Sequence, residues 1–183
     1  FNGYSEVKRA SVPKALDACP TLRGLVPWLH AVYRDNAKVY LAAPGMPRAD
    51  FDSEEGMHQG DALASVGFCA AIHEDVKTLD ATLAASGGAA KFDMDDGYAI
   101  GPPALVFEAV REFAQAVAEH GLRLRVDKCR CFSFGADLLA SPNRPPELPV
   151  GTLYTNDGRR GFGIAVGGVP VGDAAFVEAF LDD

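Results

Sequence analysis

A chain of 183 residues with 48% hydrophobic and 23% charged side chains has material for one good core and at most two small domains, which excludes wholesale disorder. Its net charge of −8 argues against a self-sufficient nucleic-acid binder, which would turn a basic face toward phosphate. That objection is weaker for a catalytic core whose acids hold metal ions. The longest nearly uncharged apolar run, Ala62 to Ile72, is far too short to span a bilayer, so no membrane association is expected.

In chain order, Ser11-Val12-Pro13 reads as a helix start with Ser11 as the cap, the helix continuing to about Cys19. A second helix is expected from Thr21 or Leu25 to Arg34, with Leu25, Trp28, Leu29, Val32 and Tyr33 on its buried face and Trp28 as core packing. Val39 to Ala42 reads as a short strand, and Pro44 to Gly60 as a loop punctuated by Pro and Gly. Asp61 caps a long helix to about Ala85, closed by Gly87-Gly88. A β-hairpin follows from Ala90 to Gly101, then a helix from about Ala104 to His120 that Gly121 stops. Leu122, Leu124 and Val126 alternate with Arg123 and Arg125, predicting a half-buried strand that continues through Cys129 to Phe134. The Pro-rich stretch Ala140 to Pro149 is the candidate internal boundary, dividing residues 1–135 from 136–183. Beyond it come strands at Leu153 to Thr155 and Gly163 to Val166, a turn back at Val169 to Gly172, and a last helix capped by Asp173. This order has no regular βαβα alternation. It favours an α+β layer, helices on one face of a mainly antiparallel sheet.

The four cysteines, Cys19, Cys69, Cys129 and Cys131, have neither paired zinc spacing nor the density of a disulfide framework. Cys129 and Cys131 read as half-buried thiols in a reducing compartment, the cytoplasm or nucleus. The chain opens on Phe1 without a charged, apolar leader, so it reads as a piece of something longer.

The chemistry concentrates at Asp95-Asp96-Gly97, set between apolar stretches. An Asp-Gly pair so flanked predicts a tight hairpin, because the central positions of that turn need positive φ. Two carboxylates at a hairpin tip are either ordinary turn chemistry or a divalent-metal site for phosphate chemistry. The loop from Glu54 to Leu63 is the second candidate, since Gly60 lets backbone approach a ligand and the helix start offers unpaired N–H groups. Its alternative is a capped helix start with no ligand.

Taken in order with Gly121-Leu122-x-Leu124-x-x-x-Lys128-Cys129, these motifs make the chain resemble the palm of reverse transcriptases, particularly the non-LTR retrotransposon type. The resemblance covers nearly the whole chain. Gln59-Gly60-Asp61-x-Leu63 is similar to the family's Gln-Gly-Asp-Pro-Leu nucleotide loop, and Met94-Asp95-Asp96 to the end of its Tyr-x-Asp-Asp hairpin. Gly167-x-Val169-Pro170-Val171-Gly172 is similar to the Leu-Gly-x-Pro-Ile-Gly turn that leads toward the thumb, and Phe1-Asn2 to the close of Asp-x-x-Asn-Ala-Phe-Asn.

The resemblance implies an RNA-directed DNA polymerase that transfers deoxynucleotides to a primer 3′-OH, with an RNA template, a DNA primer and dNTP as partners. It implies Asp95 and Asp96 as ligands of catalytic Mg²⁺ and Lys128 near the departing pyrophosphate. Phe1, Gln59, Gly60 and Met94 are implied at the nucleotide, Phe1 as the gate against a ribose 2′-OH. Two Mg²⁺ ions about 4 Å apart stabilise attacking and leaving oxygens together. The matching motif's own metal-binding Asp falls five positions ahead of Phe1, outside the sequence, so the chain alone is expected not to polymerise. Lys128 has the alternative of a solvated strand residue.

The departures are Asp93 where the family usually has Tyr, Ala62 where it has Pro, and Arg125 where it often has Asn. They motivate a rival reading, a catalytically decayed retroelement remnant that only folds or packs against a partner. Other motifs fail on their own terms. Gly161-x-Gly163 lacks the third Gly of a dinucleotide loop, His73-Glu74-Asp75 fans around a helix as a solvated face, and Ser65 lacks the Gly of a nucleophile elbow.

Overall fold

The computed structural model describes residues 3–33, 37–58, 60–150, 152–156 and 159–182. The chain is α+β, and its described strands pair in three separate small antiparallel sheets. Helices α1 (Gly3–Glu6), α2 (Ser11–Ala18) and α3 (Val26–Tyr33) precede the hairpin of β1 (Ala37–Leu41) and β2 (Ala49–Ser53). The long helix α4 (Ala64–Ala84), the hairpin of β3 (Ala89–Asp93) and β4 (Asp96–Ile100), and helix α5 (Pro103–Glu119) follow. A sheet in the order β5 (Thr152–Asn156), β6 (Arg159–Val166), β7 (Val169–Gly172) and helix α6 (Ala174–Leu181) complete the chain. Among the described residues no helix is long and apolar enough to cross a membrane.

These elements fall into two compact units, each assembled from three stretches. The first comprises Phe1–Thr78, Phe92–Gly97 and Phe113–Arg123, the second Leu79–Lys91, Tyr98–Glu112 and Leu124–Asp183. The first unit has its core in Val7, Val12, Leu16, Leu29, Phe68, Ile72, Phe113, Val117 and Leu122, all nearly inaccessible. The three-to-four-residue spacing of Ala64, Phe68, Ala71 and Ile72 puts one stripe of α4 inside, as its apolar period requires. Backbone of the α1–α2 connection is tied to the end of α5, where the carbonyls of the last turn lack intrahelical donors. Lys8 N–H donates to the His120 carbonyl at 2.8 Å, and Lys8 Nζ to that of Glu119 at 3.1 Å. His120 Nε2 also pairs with Asp75 at 3.1 Å, so Asp75 leaves the solvated trio expected of it, while His73 and Glu74 remain in solvent.

Three expectations in this unit are corrected. Leu29 and Tyr33, four residues apart, are the buried positions of α3, whereas Trp28 is 44% exposed and Val32 40%. An eight-residue helix offers its neighbours only one narrow stripe, and Trp28 lies about 100° off it. Ser11 is the first helical residue and the cap position is Ala10, which has no side-chain acceptor. The Pro44 to Gly60 loop contains a strand, β2, paired with β1 in the register Val39↔Phe51 and Lys38↔Asp52. Opposite residues share a face of the ribbon. One face therefore carries Val39, Leu41 and Phe51, all exposed, and the other Lys38 beside Asp50 and Asp52.

In the second unit, Phe107, Leu138 and Leu148 form a buried cluster with Val126, Cys129, Cys131 and Val150 packed on it. Half-burial of both thiols matches their alternating pattern, and burial pushes both above the usual thiol range. The expected strand from Leu122 to Phe134 is absent. Arg125 instead turns on Asp127 through two bonds of 2.6 and 2.8 Å, the chain curls into a 3₁₀ turn at Val126–Lys128, and only Cys131 bridges to Val150. Alternation suits a strand only where a partner offers its ladder, and none does here. The Pro-rich stretch lies within this unit, folded around Arg144, which donates to the Pro145 and Leu148 carbonyls.

Helix α6 packs on the C-terminal sheet through Phe176 and Ala179, both 1% exposed. Glycines in the sheet permit the approach: a Cβ at Gly163 would lie 2.5 Å from the Phe176 ring, and one at Gly172 2.8 Å. This packing accounts for the glycines that superficially suggested a dinucleotide loop. Asp173 caps the helix as its position predicts, Oδ1 accepting from Phe176 N–H at 2.8 Å and Oδ2 from Phe162 N–H at 3.0 Å.

Candidate functional site

The acidic hairpin forms, with its bend two residues earlier than the Asp-Gly pair suggests. β3 ends at Asp93 and β4 begins at Asp96, so the turn residues are Met94 and Asp95, while Asp96 and Gly97 belong to the strand. Met94 takes φ 55°, a left-handed conformation that non-glycine residues rarely adopt. Such an outlier persists where the surrounding structure over-determines it, and it recurs at functional sites. Here Phe92 lies 5.3 Å from Phe113, centroid to centroid, and Gly97 leaves room beneath the Phe92 ring. The strands just behind the bend are thereby fixed.

Asp95 is half-buried and Asp96 exposed. Beside Asp95 lies Gly3, where a Cβ would stand 3.3 Å from the Asp95 Cβ and 2.5 Å from the Phe68 ring. Only glycine at position 3 lets the first helix settle between the hairpin tip and α4. Cys69, one residue further along α4, lies within electrostatic range of Asp93 and Asp95. Its thiol is raised, first by partial desolvation and then by those two carboxylates. The three acids therefore do not form an isolated surface cluster: α1 and α4 flank the tip.

Carboxylate oxygens are the hard donors that Mg²⁺ takes, and the ion binds through one or two of them when phosphates and water complete its octahedron. Asp95 and Asp96 fit that requirement. Among the described residues no group of three or more His, Cys, Asp or Glu side chains is placed to hold a metal.

The second candidate, the loop ahead of α4, is held by side chains that sequence spacing did not single out. Arg9 Nη1 donates to the Ser53 carbonyl at 2.6 Å, Nη2 to Ser53 Oγ at 2.8 Å and the Glu55 carbonyl at 3.2 Å, and Nε to the Gly56 carbonyl at 2.8 Å. Its own N–H donates to Glu55 Oε2 at 2.8 Å. The Arg9 guanidinium also lies 5.5 Å from the Tyr33 ring centre, within cation–π range. The Tyr33 hydroxyl donates to Asp61 Oδ2 and accepts from His58 N–H at 3.1 Å. Burial, then donation to Asp61, pushes the phenol up to about 12. Asp61 Oδ1 accepts from Leu63 N–H at 2.9 Å and its carbonyl from Ala64 N–H at 3.1 Å; both bonds close the turn ahead of α4, whose first residue is Ala64, so Asp61 does not take the cap position expected of it.

Within that loop Gly60 has φ +90° and no atom within 4 Å of where a Cβ would stand, so the bend is exposed and needs glycine for its backbone alone. His58 packs its ring 5.0 Å from Tyr33, and its buried Nε2 finds no partner among the described residues. Phe1 and Gln59, both implied at the nucleotide, lie outside the described residues. Lys128 is exposed in the 3₁₀ turn of the second unit, whereas Asp95 and Gly60 belong to the first. The structure thus brings together Asp95, Gly3 and Phe68 at one place, and Arg9, Tyr33 and Asp61 around the loop at another. No family profile, curated protein or solved structure matches this chain.

Proposed function

We propose that this chain is the palm portion of an RNA-directed DNA polymerase of the non-LTR retrotransposon type, with Asp95 and Asp96 as ligands of catalytic Mg²⁺. The observation that carries the reading is Asp95 on a strained two-residue bend at Met94-Asp95, packed beside Gly3 just after Phe1-Asn2. The order and spacing of four motifs that resemble the family's support the same reading. On this reading β6, β7 and α6 lead toward a thumb, Gln59 and Gly60 meet the incoming deoxynucleotide, and Lys128 serves the departing pyrophosphate. Magnesium supplies charge neutralisation at the phosphates and activation of the primer 3′-oxygen. The chain's own residues present the carboxylates and fix the bend that carries them.

The test is a Mn²⁺ titration read by paramagnetic broadening of backbone amides. Broadening should centre on Met94 to Gly97 and weaken at least about tenfold in Asp95→Asn. Broadening centred elsewhere would overturn the assignment. A second reading, a decayed remnant without catalysis, is favoured by Asp93 where the resemblance has Tyr. It requires that Asp95→Asn leave Mn²⁺ binding unchanged.

A further inference from the structure

We infer that Arg9 and Tyr33 are positioning residues that hold the loop from Ser53 to Asp61 in the shape in which Gly60 meets a deoxynucleoside triphosphate. The ligand in this inference rests on the polymerase reading; the clamp itself rests on geometry. Loops with exposed backbone and few apolar contacts are ordinarily the first parts of a fold to open. Of the described residues between Ser53 and Asp61, only Gly56 and Met57 are buried, yet the stretch is fastened at both ends. Arg9 spends four side-chain bonds on Ser53, Glu55 and Gly56, and Gly56 N–H donates to the Val7 carbonyl at 3.0 Å. Tyr33 closes the other end by receiving His58 N–H and donating to Asp61.

Between Tyr33's two partners, His58 and Asp61, stands the bend at Gly60, whose surroundings are open. That division is what a ligand-binding backbone needs. The ordering entropy is met on folding, and the ligand meets amides already in place. The two anchors also touch each other, guanidinium over ring, so loss of one loosens the other. Asp61 carries the arrangement toward α4, because the carboxylate that Tyr33 holds also closes the turn just ahead of the helix.

Two variants test the inference on the full chain. Arg9→Gln removes the fork and the charge. Tyr33→Phe keeps the ring and loses only the hydroxyl, and it serves if the first variant fails to fold. Hydrogen exchange over residues 53–61 should rise about tenfold in either variant while the core of α4 and α5 stays protected. Binding of a fluorescent dGTP analogue with Mg²⁺ should weaken about tenfold, and Arg9→Lys should recover part of both effects. Unchanged exchange would overturn the clamp, and raised exchange with unchanged nucleotide affinity would reduce it to a structural tie. Failure of the wild-type chain to bind the nucleotide counts against the polymerase reading, and the exchange measurement still decides the clamp.

Discussion

Tyr33 shows how one hydroxyl links sequence-distant parts of the first unit. Its pKa is raised in the fold, from 10.0 to about 12, because burial and the Asp61 carboxylate both disfavour the phenolate. The native state therefore favours the protonated phenol. The associated stability is fully present below about pH 10 and is lost as pH rises toward about 12. Tyr33→Phe should cost about 1–3 kcal/mol at neutral pH, because Asp61 loses a donor and the His58 amide an acceptor. Urea midpoints of the two proteins should converge between pH 10 and 12, and a constant gap would contradict the linkage. Neither Tyr33 nor Arg9 was legible as part of a site from the sequence. Tyr33 was correctly placed on a buried helix face, but burial conceals which polar partner its hydroxyl finds. Arg9 lies 44 to 47 residues from the groups it binds, a separation at which no local spacing carries information.

At the scale of elements, what the sequence specified well were units whose signal is periodic or whose cap is a single side chain. α4, α5 and α6 fall within a few residues of their expected bounds, and Asp173 acts where a cap is expected, whereas Asp61 closes the turn ahead of α4 instead. Asp173→Ala should cost about 1–2 kcal/mol and speed amide exchange in α6, since it strands the amides of both Phe176 and Phe162. A thermal midpoint equal to wild type would show the cap to be dispensable. Besides the Ser11 cap and the outward Trp28, the misses are strands. β2 was hidden because Ala-Asp-Phe-Asp-Ser places acids on a solvated face amid Pro and Gly, so polarity imitated a loop. The segment after Gly121 had the alternation of a strand and became none, because pairing is decided by a partner and alternation cannot name one. The hairpin turn shifted by two residues for a related reason. Gly97 is used for its lack of a side chain under Phe92, and the positive φ falls on Met94 instead.

On the scale of the whole molecule, neither compact unit is a contiguous segment, and α4, α5 and the β3–β4 hairpin each contribute residues to both. The division read from the Pro-rich stretch therefore makes a concrete prediction about truncation. A chain ending at residue 135 keeps Phe107 and loses Leu138 and Leu148, two-thirds of that buried cluster. Large-to-small losses in a core cost about 2–5 kcal/mol each. The shortened chain should lose its cooperative thermal transition by circular dichroism, whereas a sharp transition near the full-length midpoint would show that residues 136–183 are an independent appendage.

The ribbon of β1 and β2 has a practical corollary for handling the protein. Val39, Leu41 and Phe51 present a greasy flank to water, and like-charge repulsion between molecules keeps such flanks apart. With a pI near 4.9, that repulsion vanishes in mildly acidic buffer. Purification and crystallisation trials belong well above that pH, since titrating away the colloidal guard leaves this flank free to precipitate the sample.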